Sequence, residues 1–430
     1  MRNRRWRRGW HGAVLGLLLL LVTTCAPPAP SSPSPPPSPT LPPPTLTPSP
    51  VPGAPVVTLT LWLPEDLNPY EDRPGADLLA QHLADFRAAY PDLQVQVIVK
   101  KSRGRGGLLD FLRTARAAAP SVLPDLIVLD EADLQVAAQT GLIQPLNDVL
   151  LNEMPSDLFP FATELGRVGD QTFGLPLTAE LEHLAHAPES LEAPPLSWND
   201  VLSAAIPLVF PAAGRNDSVN DFTLVQYLGA GGRLMDGEGN PTIEEEPLVA
   251  VLDFYAQATA TGVISPLLVL SLGDAEACWA HFQAEGGLTV VNSRRFWTTT
   301  DRTAEPVPIP TREGHPVALT EGWVIALVTA NPEAQQRAMA LATWLLDPAW
   351  YGAWTQSTGY LPVTRSGLAA WSIPETQRET LTAILEGARA PLPAALRSRV
   401  GPPLQAAVEA VLQGRQSPRE AAARAVQSVR

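Results

Sequence analysis

Two cysteines in 430 residues exclude a disulfide framework. One of them, Cys278, stands in Ala277-Cys278-Trp279, surroundings that suit a buried, inert thiol. Positive charge is also scarce. Thirty Lys and Arg against 44 Asp and Glu give a net charge of −14. Five of the arginines fall within the first 25 residues, so the remainder carries 25 basic and 44 acidic residues, or −19. Such a surface repels DNA, RNA and anionic headgroups, which excludes nucleic acid as a partner. No later segment reaches the roughly 20 apolar residues that a membrane-spanning helix needs. The chain lacks a Gly-x-Ser-x-Gly elbow, a zincin helix and a Cys–His nucleophile pair. Lys100–Gly107 (KKSRGRGG) lacks the Gly-Lys-Ser/Thr ending of a phosphate loop and reads as a solvated strand-to-helix connection. His183 and His186 would share a face if their segment were helical, but no further His or Cys stands at ligand spacing. Neither metal nor cofactor is expected.

What is present begins at the N-terminus. Five arginines precede an apolar run from Ala13 to Val22, too short to span a bilayer and suited to a secretory signal. Val22-Thr23-Thr24-Cys25 resembles a bacterial lipobox, whose cysteine is lipidated and becomes the mature N-terminus, although Thr24 stands where the motif has Gly, Ala or Ser. An ordinary signal peptide with an incidental cysteine is the other reading. Both place the protein outside the cytoplasm. Residues 26–55 are half proline, with almost nothing to bury, and are expected to form an unfolded tether. At ~3.1 Å per residue it extends to roughly 90 Å.

The remaining residues are too many for one compact core and suit two lobes. Val56–Leu63 (VVTLTLWL), Leu93–Val99 and Asp125–Leu129 read as strands, with helices predicted over Ala76–Tyr90, Leu108–Ala119 and up to Gln139. That alternation implies α/β layering with parallel strands. Later helices are predicted over Trp198–Ala205, Phe222–Ala230, Pro247–Thr261 and Glu333–Leu346. Glu285–Val291 and Gly322–Val328 read as strands, and two helices close the chain.

Several short strings fall in one order: Trp62 ending a strand; Phe86-Arg-Ala-Ala-Tyr90-Pro91; Pro124-Asp125-Leu-Ile-Val-Leu129; Gly141-Leu-Ile-Gln-Pro145-Leu146. Then come Gly174-Leu175-Pro176, Ser197-Trp198-Asn199-Asp200, Gly359-Tyr360-Leu361-Pro362 and Gly414-Arg-Gln-Ser-Pro418. In this order, over nearly all of 57–430, the chain resembles the family 1 extracellular solute-binding proteins, the maltose-binding-protein-like carbohydrate receptors of ABC importers. The resemblance implies a two-lobed α/β periplasmic-binding fold, with ligand in a cleft between lobes joined by several crossovers. It places the first lobe at 57–177 with 309–356 and the second at 178–308 with 357–430, after a signal at 1–25 and the tether at 26–55. It also implies a monomer that docks on ABC permeases.

A sugar site needs aromatic plates for C–H faces and carboxylates, amides or Arg for hydroxyls. Trp62 ends the first strand, where open α/β sheets place ligands, and Asp66 follows in the next loop. The alternative is a core Trp and a solvated acidic turn. Asp130, Glu131 and Asp133 follow the third strand, where a helix N-cap competes with a ligand role. The resemblance carries ligand roles to Asp66, to Glu180 four residues past Pro176, to Trp297 after Val290-Val291-Asn292-Ser293, and to Trp323 beside the hinge. Phe222 is a further candidate. His186-Ala187 depart from the family's Tyr-Asn, and Gly401 stands where the maltose-binding member has a stacking Trp. Trp344, Trp350, Trp354 and Trp371 have the spacing of packing residues. The leading reading is a non-catalytic lipoprotein that captures a sugar or glycoside. An exported glycoside hydrolase and a sensor or scaffold of the same fold are the alternatives.

Overall fold

The computed structural model describes residues 56–430, apart from 153, 192, 216, 217, 301 and 430, and only the backbone of 148–149. The expected signal, Cys25 and the proline tether lie outside the described residues. Strands β1 (Val57–Pro64), β2 (Leu93–Lys100) and β3 (Leu126–Asp130) alternate with helices Ala76–Ala89, Leu108–Ala118 and Glu131–Gln139. A small hairpin of β4 (Arg167–Val168) and β5 (Gln171–Thr172) precedes β6 (Gly174–Pro176). β7 (Glu180–His186), β8 (Leu208–Val209), β9 (Leu288–Asn292), β10 (Glu305–Val307) and β11 (Ala318–Glu321) follow, then β12 (Trp323–Leu327) and β13 (Ala388–Arg389).

These strands build two sheets. The first has the order β2-β1-β3-β12-β6, with β1, β2 and β3 parallel and β12 antiparallel to both neighbours. The second has the order β13-β11-β7-β9-β8, with β10 also on β7. The first three strands are rich in Val, Ile and Leu, and β3 is buried along its whole length, as a strand covered on both faces must be. Each sheet has its own apolar cluster. The first holds Leu61, Phe86, Ile127 and Trp354; the second holds Phe210, Phe222, Tyr255 and Val408. Both sheets lie within one compact unit, Ala54–Arg430.

The α/β alternation over 57–139 is as predicted. The later segments divide between the two apolar clusters. Tyr360, Leu368, Trp371 and Leu385 pack into the first cluster, whereas Ile309, Val317 and Leu319 pack into the second. The segment following Pro362 thus covers the first sheet with apolar side chains as far as Leu385. Glu180–His186 is a strand, so the three-residue spacing of His183 and His186 puts them on opposite faces. That removes the geometry on which a shared metal would depend. His183 is fully buried against Phe296, and burial pushes its pKa down to about 4.

Candidate functional site in the interlobe cleft

One antiparallel ribbon joins the two sheets. Val324, Ile325 and Ala326 pair with Pro176, Leu175 and Gly174 in the first sheet. Thr320 and Glu321 pair with Leu181 and Glu180 in the second. Between them Leu177 N donates to Trp323 O at 2.7 Å, and Trp323 N donates to Thr178 Oγ1 at 3.2 Å. Gly322 permits this approach, since a Cβ there would lie 2.0 Å from Thr178 O. A third crossing is held by reciprocal bonds between Ala179 and Leu361, at 2.8 and 2.9 Å.

Carboxylates gather where the ribbon leaves the first sheet. Glu180 and Glu321 are cross-strand partners, so their side chains emerge on one face, and alternation adds Glu182 to it. Burial raises the Glu180 carboxyl above its ordinary range; Arg294 opposes this, while Glu321 and Asp66 add to it. Burial, then the charge of Asp221, pushes Glu182 up to about 8 against the pull of Arg397. Two adjoining cavities open from here and share Glu321 and Arg397. One, of about 330 Å³, is lined by Arg103, Asp130, Glu131 and Asp133. The other, of about 370 Å³, is lined by Glu182, Arg215, Asp221 and Asp274. Burial and neighbouring Asp130 push Glu131 to about 7 and Asp133 to about 6. Three arginines in these walls already hold carboxylates: Arg103 pairs with Asp130, Arg397 with Asp221 at 2.5 Å, and Arg215 with Asp274 at 2.5 Å.

The expected site residues divide. Glu131 and Glu180 are in the cleft region, and Asp66 is half-buried with Ser102 Oγ donating to its Oδ2. Asp130 is committed internally: its Oδ1 accepts from Asp133 N at 2.8 Å, capping the helix, and its Oδ2 accepts from Arg103 Nε. Trp62, only 3% exposed, packs into the first core, because its place on β1 turns the indole to the covered face. Phe222 is completely buried and stacks on Phe210 at 4.7 Å. Neither presents a plate to a ligand. Trp297 packs edge-on against Trp371 at 5.2 Å, with the Arg302 guanidinium 4.4 Å over its ring. Trp323 stands at the cleft edge but is 6% exposed; its Nε1 donates to Tyr360 Oη at 3.1 Å, and Arg103 lies 5.9 Å over its face. Tyr360 is covered in the same way by Arg294, at 4.3 Å. Gly401 packs on Ser218, and a Cβ there would meet Ser218 Oγ at 2.3 Å, so no aromatic fits.

Arg103, Arg294, Arg397 and Tyr360 were not among the sequence candidates. Their partners are distant in the chain, and only the Glu180-x-Glu182 alternation offered a local signal. The cleft so built is a wall of hydrogen-bond acceptors backed by aromatic rings that arginines overlie.

Residues 81–379 match the family described as bacterial extracellular solute-binding protein. This chain belongs to that family. The solute-binding protein has the two-lobed fold of several solved structures. The cyclic alpha-maltosyl-1,6-maltose binding protein from Arthrobacter globiformis is 20% identical, with a TM-score of 0.66 over 87% of this chain and 98% of its own. The sugar-binding protein MalE from Xanthomonas citri is 16% identical, with a TM-score of 0.68 over 87% and 96%. A family 1 extracellular solute-binding protein from Alicyclobacillus acidocaldarius is 17% identical, with a TM-score of 0.66 over 87% and 98%. No curated protein matches in sequence. The family is one of binding proteins working outside the cytoplasm, and no helix among the described residues is long and apolar enough to cross a membrane.

Proposed function

We propose that this solute-binding protein captures a carbohydrate-type solute between its lobes and delivers it, as a monomer, to the permeases of an ABC importer while a lipid on Cys25 holds it at the membrane. The observation that carries this reading is the ribbon through Leu177–Glu180 and Glu321–Trp323. It sets acceptors from both lobes around one opening and leaves only narrow crossings for the lobes to turn on. A solute that touches both walls stabilises the closed arrangement differentially, and that difference is what a permease can sense. Similarity in fold to proteins that bind maltose-type and cyclic oligosaccharides supports the carbohydrate class.

The test is a glycan panel read by thermal shift together with product analysis. A rise in melting temperature without turnover supports capture; steady release of cleaved product contradicts it. For the anchor, Cys25→Ala is expected to release the protein from membranes with its solute affinity intact. Retention on membranes would contradict the lipid.

A further inference from the structure

The described residues lining the two cavities do not balance in charge. Arg103, Arg397 and Arg215 are each taken by one carboxylate, and Asp133 also feels Arg113. That leaves Glu131, Glu182 and Glu321 with no Arg or Lys in ion-pair reach among the described residues. Glu182 is the telling one. Its Oε2 is sealed from solvent and meets no hydrogen-bond donor, although the residue lines the cavity. A buried, unpartnered carboxyl oxygen is costly and needs a donor, and a cationic donor also offsets the charge that ionisation of Glu182 would leave. A hydroxyl supplies one hydrogen bond; an ammonium supplies three and cancels the charge.

Building on the reading of this cleft as the solute site, we propose that its solute carries a primary ammonium group, received by Glu182 and Glu321. The flanking acceptors, Glu180 and Asp66, remain for hydroxyls. An amino sugar and a polyamine share the ammonium, and they differ in whether hydroxyls accompany it. The groups facing Glu182 are Asp221, Arg397, Glu321 and Asp274, with the Cys278 thiol nearby. Because burial and Asp221 hold its proton to about pH 8, an arriving ammonium drives that proton to solvent as the carboxylate forms.

The experiment is titration calorimetry of the full chain in detergent with four probes: glucose, glucosamine, the β-1,4-linked glucosamine dimer and spermidine. The proposal predicts amines about tenfold or more tighter than glucose, weaker in high salt, with proton release near pH 7 seen as a dependence of the heat on the buffer's ionisation enthalpy. Tighter binding of the glucosamine dimer than of spermidine identifies the hydroxylated source, and the reverse order identifies the polyamine. Glu182→Gln is expected to bring amine affinity down to about that of glucose. Should that variant not fold, exposed Glu321→Gln is expected to reduce the preference in the same direction. Glucose binding as tightly as the amines would overturn the ammonium while leaving sugar capture standing. No binding by any probe would contradict both.

Discussion

Glu180 and Glu321 sit directly opposite one another on the ribbon that joins the two lobes. Like charges in that position repel; Arg294 offsets the effect on Glu180, and Arg103 lies within the field of Glu321. The hinge of this protein thus concentrates negative charge where a solute would enter. Replacing Glu321 with Gln is expected to raise stability without ligand, by up to about 1 kcal/mol. The urea midpoint of unfolding checks this; a lowered midpoint would show that Glu321 is held by favourable contacts instead.

The close approach at Gly322 makes a separate prediction. Gly322→Ala forces a Cβ against Thr178 O and should cost about 1–3 kcal/mol, since both neighbours are backbone held by the crossing ladder. Gly237→Ala, with open space around it, serves as the control and should stay within about 0.5 kcal/mol. Equal effects at the two positions would contradict the packing argument.

The raised carboxyls set a pH dependence. Glu182 and Glu131 hold their protons to about pH 8 and 7 in the folded chain, against 4.5 for a free Glu side chain. The folded state binds more protons than the unfolded state across that window, so their contribution is fully present below pH 4.5 and is lost as pH rises toward 8. Melting temperature measured from pH 5 to 8 should therefore fall. Glu182→Gln should flatten the decline and melt a few degrees higher than the parent at pH 8.

Phe222 and Trp62 were candidates for sugar contact and are core residues. Phe222→Ala is expected to cost about 3–5 kcal/mol through the cavity it leaves. Solute affinity, measured below the unfolding transition, should be retained by the folded fraction. A loss of affinity with unchanged stability would return Phe222 to the site.

These placements show what a sequence can carry. The strands at 57–64, 93–100 and 126–130 were legible because they are short Val-, Ile- and Leu-rich runs bounded by turn residues. β7 was not, because ELEHLAH has no β-branched residue and gains its strand state from partners more than 100 residues away. The aromatic candidates failed for a related reason. Composition shows that Trp62 ends a strand, but which sheet face is covered depends on helices packed later. Arg103 was visible only as part of a basic loop; its pairing with Asp130 and its position over Trp323 are tertiary facts. Glu180 was reachable through the resemblance, because it stands four residues past Pro176, the end of the short strand β6 that leads into the crossing.

The most direct test of capture by lobe closure is small-angle scattering of the full chain with and without a saturating solute found in the glycan panel. Capture by closure predicts that the radius of gyration falls on saturation, and that Glu180→Gln raises the solute concentration needed for that fall about tenfold. A solute that binds tightly with an unchanged radius of gyration, and with equal affinity for the Glu180→Gln chain, would contradict it.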